Sequence, residues 1–316
     1  MLMFLVTSTL PPKKYAVAWR SVLISNPARL RREHFSLAIE QQETAFVPFE
    51  DIAIIVLNHR EITLTHPVLS ACAEYGIGLY ATGHNHQPAG IFLPFLTHTR
   101  TARMMRRQLD LGRPVVKQAW ANIVRRKIEN QATCLSLCGL TDGDRLTLFA
   151  RRVRSGDPDN LEAQAAAYYF VHLFGSTFHR AKECWVNAAL DYGYAVLRGA
   201  ITRSLVAHGL HPTLGLAHNS EQNAFNLADD LIEPFRPVVD LHVSSHVAPD
   251  KTTLTPSDKQ ALVALLNVDV AMPQGKMSLL AAIEYTVESL VRLYENGCKD
   301  LELPQLIKLQ QHHFEY

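Results

Sequence analysis

Three side chains in this 316-residue sequence have the types and context of a divalent-metal cage for phosphodiester chemistry: Glu162, His218 and Glu233. Glu162 opens an Ala-rich segment, Asp159-Asn160-Leu161-Glu162-Ala163-Gln164-Ala165. His218 follows a Gly-containing turn, Leu214-Gly215-Leu216-Ala217-His218, and Glu233 closes the acidic run Asn226-Leu227-Ala228-Asp229-Asp230-Leu231-Ile232-Glu233. Two carboxylates and one imidazole suit Mg²⁺ or Mn²⁺, whereas a structural zinc site takes Cys or more His. A hard cation held by few protein ligands keeps coordination positions open for a phosphate oxygen.

Each residue also has a plainer reading. Asp159-x-x-Glu162 has the spacing of a capping box, with Asp where Ser or Thr is usual. His218 after an apolar turn reads as a hydrogen-bonded loop residue, and the acids at 229, 230 and 233 as the wet face of an amphipathic helix. Asp230 and Glu233 are i, i+3 neighbours, so both carboxylates can face one ion, which would relieve their repulsion. Asn187 and Tyr194 share a face of another predicted helix, with Arg198 one turn further, and read either as neighbours of the cage or as ordinary packing.

The formal net charge of +1 hides an asymmetry. Residues 1–99 carry seven basic and seven acidic side chains, whereas residues 100–154 carry thirteen basic and four acidic ones, a net +9. A stretch of this kind suits an anionic polymer. Its arginines, Arg100, Arg103, Arg106, Arg107, Arg125, Arg126, Arg151, Arg152 and Arg154, present forked donors that match phosphate oxygens. The alternative is a solvated helix face.

The elements that must position these groups fall into two zones. Residues 1–95 are rich in short strand signals: Tyr15–Trp19, Phe46–Phe49, the strongly apolar Ile52–Leu57, and Ile77–Ala81. Between the last two, Thr65 to Gly76 predicts a helix, with Pro early and Gly at its end. Past residue 95 the period turns helical, over 99–111, 114–136, 158–174, 183–208, 223–235, 256–267 and 278–296. The class is therefore α+β: a β-rich domain over 1–95, then a larger, mainly α-helical domain over 96–316. Apolar residues make up 47% and charged residues 19%, as in globular proteins. The five cysteines lack a disulfide-scaffold pattern and read as reduced thiols. His84-Asn85-His86 has metal-like types without a third partner and reads as an ordered turn. No apolar stretch reaches the ~18 residues of a membrane span, so a cytoplasmic chain is expected.

The residues in context resemble the CRISPR-associated spacer integrase, the universal nuclease of CRISPR adaptation, in its type II-like form. The most specific stretches are Trp19-Arg20-Ser21-Val22, Thr65-His66-Pro67 through Ile77, and Asn160-Leu161-Glu162-Ala163 through Phe170. They continue with Asn187-Ala188-Ala189-Leu190-Asp191-Tyr192-Gly193-Tyr194, and with His218-Asn219-Ser220 through Glu233-Pro234-Phe235-Arg236-Pro237. The resemblance implies an N-terminal β domain joined to a helical catalytic domain, with Glu162, His218 and Glu233 as ligands and Asp230 close by. Leu161 departs from the Arg-Glu-Gly-like pattern frequent in the family, which removes a neighbouring phosphate contact from the expectation. Pro234 after Glu233 disfavours α geometry at Glu233 and predicts a kink.

The reaction implied is attack by the 3′-hydroxyl of a captured double-stranded DNA fragment on a phosphodiester at the edge of a CRISPR repeat. With water as the nucleophile, the same site is a DNA endonuclease. A metal-free His218 would be a candidate general base. The resemblance further implies a homodimer, with residues 1–95 as a plausible dimerisation surface. It also implies a small dimeric CRISPR adaptation partner protein and cooperation with a type II effector nuclease. A metal-dependent DNA nuclease without strand joining is the alternative.

Overall fold

The computed structural model describes residues 20–83, 88–247, 252–297 and 301–313. The expected strand Tyr15–Trp19 and the turn His84–His86 lie outside the described residues.

The N-terminal part holds two four-stranded sheets. One is built from β1 (Arg20–Ile24), β5 (Ile52–Leu57), β7 (Gly78–Thr82) and β8 (Pro88–Phe92), in that spatial order. The other contains β2 (Ala28–Glu33), β3 (Ser36–Glu40), β4 (Thr44–Pro48) and β6 (Ile62–Leu64), in the order β4-β3-β2-β6. Strands β1, β5 and β7 run parallel, so a crossover must join β5 to β7, and helix α1 (His66–Glu74) supplies it. β5 is buried on both faces, as its unbroken apolar run requires. Ile52 and Ile55 join a core with Leu30, Phe49, Val68 and Cys72 between the sheets and α1. Ile54, Val56 and Tyr80 instead join the core of the helical part.

That part comprises α2 (Thr101–Asp110), α3 (Arg113–Leu137), α4 (Gly143–Arg152), α5 (Leu161–Phe174), α6 (Trp185–Ala207), α7 (Asn226–Ile232), α8 (Arg236–Ser245), α9 (Pro256–Ala264) and α10 (Leu279–Asn296). The fold is thus α+β, with strands first and a helix-rich remainder. α6 buries sixteen of its 23 residues and packs on α7, α8, α9 and α10. The sheet meets it through Tyr80, whose hydroxyl donates to the Gly199 carbonyl at 2.5 Å. A Cβ at Gly199 would sit 2.7 Å from the Tyr80 ring, so glycine is what admits the tyrosine here.

Four differences from the sequence expectation have local causes. α4 begins at Gly143 itself, where Gly139, Asp142 and Gly143 predict only a loop. α8 runs on beyond the helix expected to end at 235, and Pro237 sits in its first turn, where its missing N–H has no partner to lose. Residues 269–278 form a hairpin of β9 (Asp269–Met272) and β10 (Gly275–Ser278) inside the helical zone. Glu233 keeps right-handed helical angles, φ −53° and ψ −45°, despite Pro234. The expected break falls instead between the end of α7 at Ile232 and the start of α8 at Arg236.

Candidate metal and DNA site

Helix α3 runs under the site with an apolar stripe that includes Ile123, Val124, Ile128 and Cys134. Lys127 lies on that stripe and is buried. Its ammonium ion-pairs with Glu162 Oε1 and lies 2.5 Å from Glu233 Oε2. Two carboxylates 71 positions apart in the chain thus converge on one cation.

Each carboxylate is mounted firmly. Asp157 accepts from the Leu161 and Glu162 N–H groups, both at 2.9 Å, and so caps α5 directly ahead of Glu162. The expected cap, Asp159, pairs with Arg154 at 2.8 Å instead. Asp157 and Asn160 hold left-handed backbone angles (φ +47° and +50°), the bend that brings Asp157 over the helix start. Glu233, at the α7–α8 junction, accepts from Arg236 Nε at 2.9 Å. The Arg236 guanidinium lies 4.5 Å over the Tyr194 ring. Tyr194 in turn donates to the buried Asp240, which also accepts from Tyr169 at 3.0 Å.

His218 sits on the loop before α7, half exposed, with its ring edge-on to Trp120 at 5.8 Å. Its Nδ1 is 2.8 Å from Asp230 Oδ1, so the Nδ1–H donates to that carboxylate and the neutral ring keeps its lone pair on Nε2. Asp230 is fully buried and also accepts from the Leu216, Ala217 and His218 N–H groups. It is therefore committed to the His218 loop and does not turn toward a shared ion with Glu233. Gly215 permits this wrap, because a Cβ there would meet the His218 carbonyl and lie 2.9 Å from Asp230 Oδ2.

The electrostatics follow. Burial alone would raise the Glu233 carboxyl, but Lys127 and Arg236 together hold it below the ordinary carboxylate value. Burial would lower Lys127, and the Glu233 and Glu162 charges raise it instead. The hydrogen bond to Asp230 raises His218 against its burial, and the charges of Asp230, Glu233 and Asp229 add to the rise.

Among the described residues, no three His, Cys, Asp or Glu side chains are drawn together as ligands of one ion. An ammonium stands at the point where Glu162 and Glu233 meet. It is an imperfect partner: Glu233 Oε2 is buried without a properly directed hydrogen bond, although Lys127 Nζ is only 2.5 Å away. A buried carboxylate oxygen without a directed hydrogen bond, and a second carboxylate on the same ammonium, have the donor chemistry of a hard divalent cation site.

Of the other expected site residues, Asn187 is buried and serves the loop before α6, donating to the His179 and Lys182 carbonyls and accepting from Arg180 at 2.9 Å. Arg106, Arg107, Arg151 and Arg152 are exposed on α2 and α4, and Arg100 is exposed just before α2. Arg103 is exposed 3.9 Å from Glu295, and the exposed Arg154 pairs with Asp159. Arg125 turns inward, donating to Asn122 Oδ1 and the Val153 carbonyl at 3.1 Å each, and Arg126 pairs with Glu129. These two do not join the exposed arginines. Lys127, Asp157, Arg236 and Asp240 were not singled out by sequence reasoning. A lysine in register with the apolar stripe of α3 was the available signal for the first.

Acids gathered on a cation position, beside helices that present arginine to solvent, characterise enzymes acting on nucleic-acid phosphodiesters. The sequence profile described as "CRISPR associated protein Cas1" matches residues 22–269. Over 305 residues the chain is 43% identical to the CRISPR-associated endonuclease Cas1 of Neisseria meningitidis serogroup C (strain 8013), covering 95% of this chain and 100% of the relative. Among solved structures, a casposase bound to integration product matches with a TM-score of 0.73 at 17% identity, covering 89% of this chain and 92% of that one. A partial Cas6-RT-Cas1--Cas2 complex matches with a TM-score of 0.62 at 16% identity, covering 92% and 99%. These two likenesses establish the fold. The chain belongs to the Cas1 family, and it is an endonuclease and integrase of CRISPR adaptation. Cas1 endonucleases are metal-dependent. Among the described residues no helix is long and apolar enough to cross a membrane.

Proposed function

We propose that Glu162, Glu233 and His218 Nε2 hold one Mg²⁺ or Mn²⁺ ion at the position Lys127 marks, and that DNA strands are cut and joined there. The observation that carries this reading is the meeting of Glu162 and Glu233 on a single ammonium, with His218 tied by Asp230 in the tautomer a metal ligand needs. The bound ion supplies Lewis-acid stabilisation of the charge that builds on the non-bridging phosphate oxygens.

The chain's own residues do the rest. Arg236 keeps Glu233 ionised, Lys127 adding to this until the ion takes its place, and Asp157 fixes the approach of Glu162. The 3′ oxygen of a captured fragment forms a new P–O bond as the bond to the departing 3′ oxygen breaks. One proton leaves the attacking hydroxyl and one reaches the departing oxygen. The exposed arginines at 100, 103, 106, 107, 151, 152 and 154 contact backbone phosphates without reading sequence.

Two insertions at one repeat require two such sites, so a homodimer joined by a small dimeric Cas2-type partner is the assembly that suits this chemistry. The casposase–product and Cas1–Cas2 likenesses support DNA and that partner. Cooperation with a type II effector nuclease and a cytoplasmic location belong to the same reading.

The test combines Mn²⁺ binding by calorimetry with a strand-joining assay on a supercoiled repeat plasmid and a pre-processed fragment. Glu162→Ala, His218→Ala and Glu233→Ala should each weaken Mn²⁺ binding and abolish joining. Full Mn²⁺ affinity in all three would overturn the site assignment. Nicking without joining by the wild type would point to a nuclease alone.

A further inference from the structure

The extended segment 301–312 lies beyond the stretch that the family profile matches, and it threads between the β9–β10 hairpin and α3. On one side it bonds to β9 as an added antiparallel strand: Gln305 and Ala271 exchange N–H···O bonds of 2.8 and 3.1 Å, and the Asp269 N–H donates to the Gln310 carbonyl at 2.8 Å. On the other side it meets one α3 residue. Asn130 is 2% exposed, three positions past Lys127. Its Nδ2 donates to the Pro304 carbonyl at 3.0 Å and to the Pro234 carbonyl at 2.7 Å, while its Oδ1 accepts from the Leu306 N–H at 3.0 Å.

Pro234 directly follows Glu233, in the gap between α7 and α8. The carbonyl that Asn130 binds there belongs to neither helix. A single buried amide thus fastens segment 301–312, the Glu233 junction and the helix carrying Lys127 to one another.

We propose that segment 301–312, acting through Asn130, is a positioning strap that sets the Glu233 carboxylate for the metal. This rests on the reading of Glu233 as a ligand. Outer contacts that orient a ligand typically change metal affinity or activity by about 10–100-fold when removed. The backbone bonds of the strap go to Asn130 and β9 and to none of the exposed arginines, so DNA binding should not feel it.

The full-length chain is tested as Asn130→Ala, Leu306→Ala and Gln305→Pro, which at an exposed position removes the N–H donated to Ala271 and restricts the local backbone. Melting curves establish that each variant is folded at the assay temperature. Expected is a roughly 10-fold weaker Mn²⁺ Kd and a matching fall in kcat for joining with Asn130→Ala, with unchanged KM for DNA and recovery of kcat at high Mn²⁺. The two segment variants should move in the same direction by less. Wild-type Mn²⁺ affinity in a folded Asn130→Ala would overturn the proposal. So would wild-type affinity in both folded segment variants, which would leave Asn130 as a local cap of Pro234. A Glu233→Ala control that keeps full Mn²⁺ affinity would instead refute the underlying ligand assignment.

Discussion

Lys127→Met is the substitution that most directly interrogates the convergence of the two acids. It removes the ammonium and leaves an apolar side chain of similar length on a stripe that is already apolar. The Glu162 and Glu233 oxygens that it bridged then face each other at about 5 Å or less, where two unit charges at an effective dielectric of ~20 repel by roughly 3 kcal/mol. Glu233 still has Arg236 at 2.9 Å and Glu162 is partly exposed, so the repulsion, not an entirely stranded charge, sets the scale. For a chain of 316 residues, 3 kcal/mol lowers Tm by about 5 °C. Mn²⁺ at a thousand times its Kd adds about 4 kcal/mol to the bound state and more than restores the loss. Differential scanning calorimetry in chelator and in Mn²⁺ gives the readout. The metal-induced rise in Tm should be larger for Lys127→Met than for wild type, in which the ion must displace the ammonium. Adding Glu162→Gln to the Lys127→Met chain should recover Tm in chelator and abolish the Mn²⁺ effect. Equal Mn²⁺ shifts in wild type and Lys127→Met would refute the idea that lysine and metal share one position.

Three further outcomes are expected. Asp230→Asn loses the ionised acceptor that fixes His218 and its loop, so Mn²⁺ affinity measured by titration should fall about 10–100-fold. Asp240 is pushed up to about 6 by burial from an ordinary 3.8, opposed by its hydrogen bonds from Tyr194 and Tyr169. A raised carboxyl contributes stability that is complete below its unfolded value and lost as pH rises through the folded one. Between pH 4 and 8 the stability of Asp240→Asn relative to wild type should therefore improve by roughly 3 kcal/mol, read from denaturant melts. Arg151→Ala and Arg152→Ala should each reduce the log–log salt slope of DNA binding by about 1, with little change in sequence preference.

The residues show why the sequence discloses some features and conceals others. Ile52–Leu57 is legible because a short, fully apolar run demands burial on both faces. β2 and β3 escape notice because their alternation is brief: only Ala28 and Leu30 in one and Leu37 and Ile39 in the other carry it, and Arg32-Glu33 ends the first. α8 is hidden by Pro237, which local rules read as a stop although it is a start in context. At the site, Glu162, His218 and Glu233 carry their chemistry in their types. Lys127 does not, because inside a basic stretch a buried lysine and a solvated one are the same letter. Only its position among Ile123, Val124 and Ile128 distinguishes it. Asp157 takes the capping role expected of Asp159 because the left-handed backbone at 157 and 160, invisible to spacing rules, decides which carboxylate reaches the helix start.

The tyrosine seated on Gly199 has a mechanical consequence. The β5–β7 sheet is bolted to the middle of α6, and α6 carries Tyr194 one turn and a residue before that glycine, under the arginine that steadies Glu233. Torque applied to the strands would therefore reach the acid cluster through stiff, close-packed parts instead of dissipating in a tether. A macromolecular assembly that grips the sheets would thereby aim the chemistry, much as a handle aims a blade.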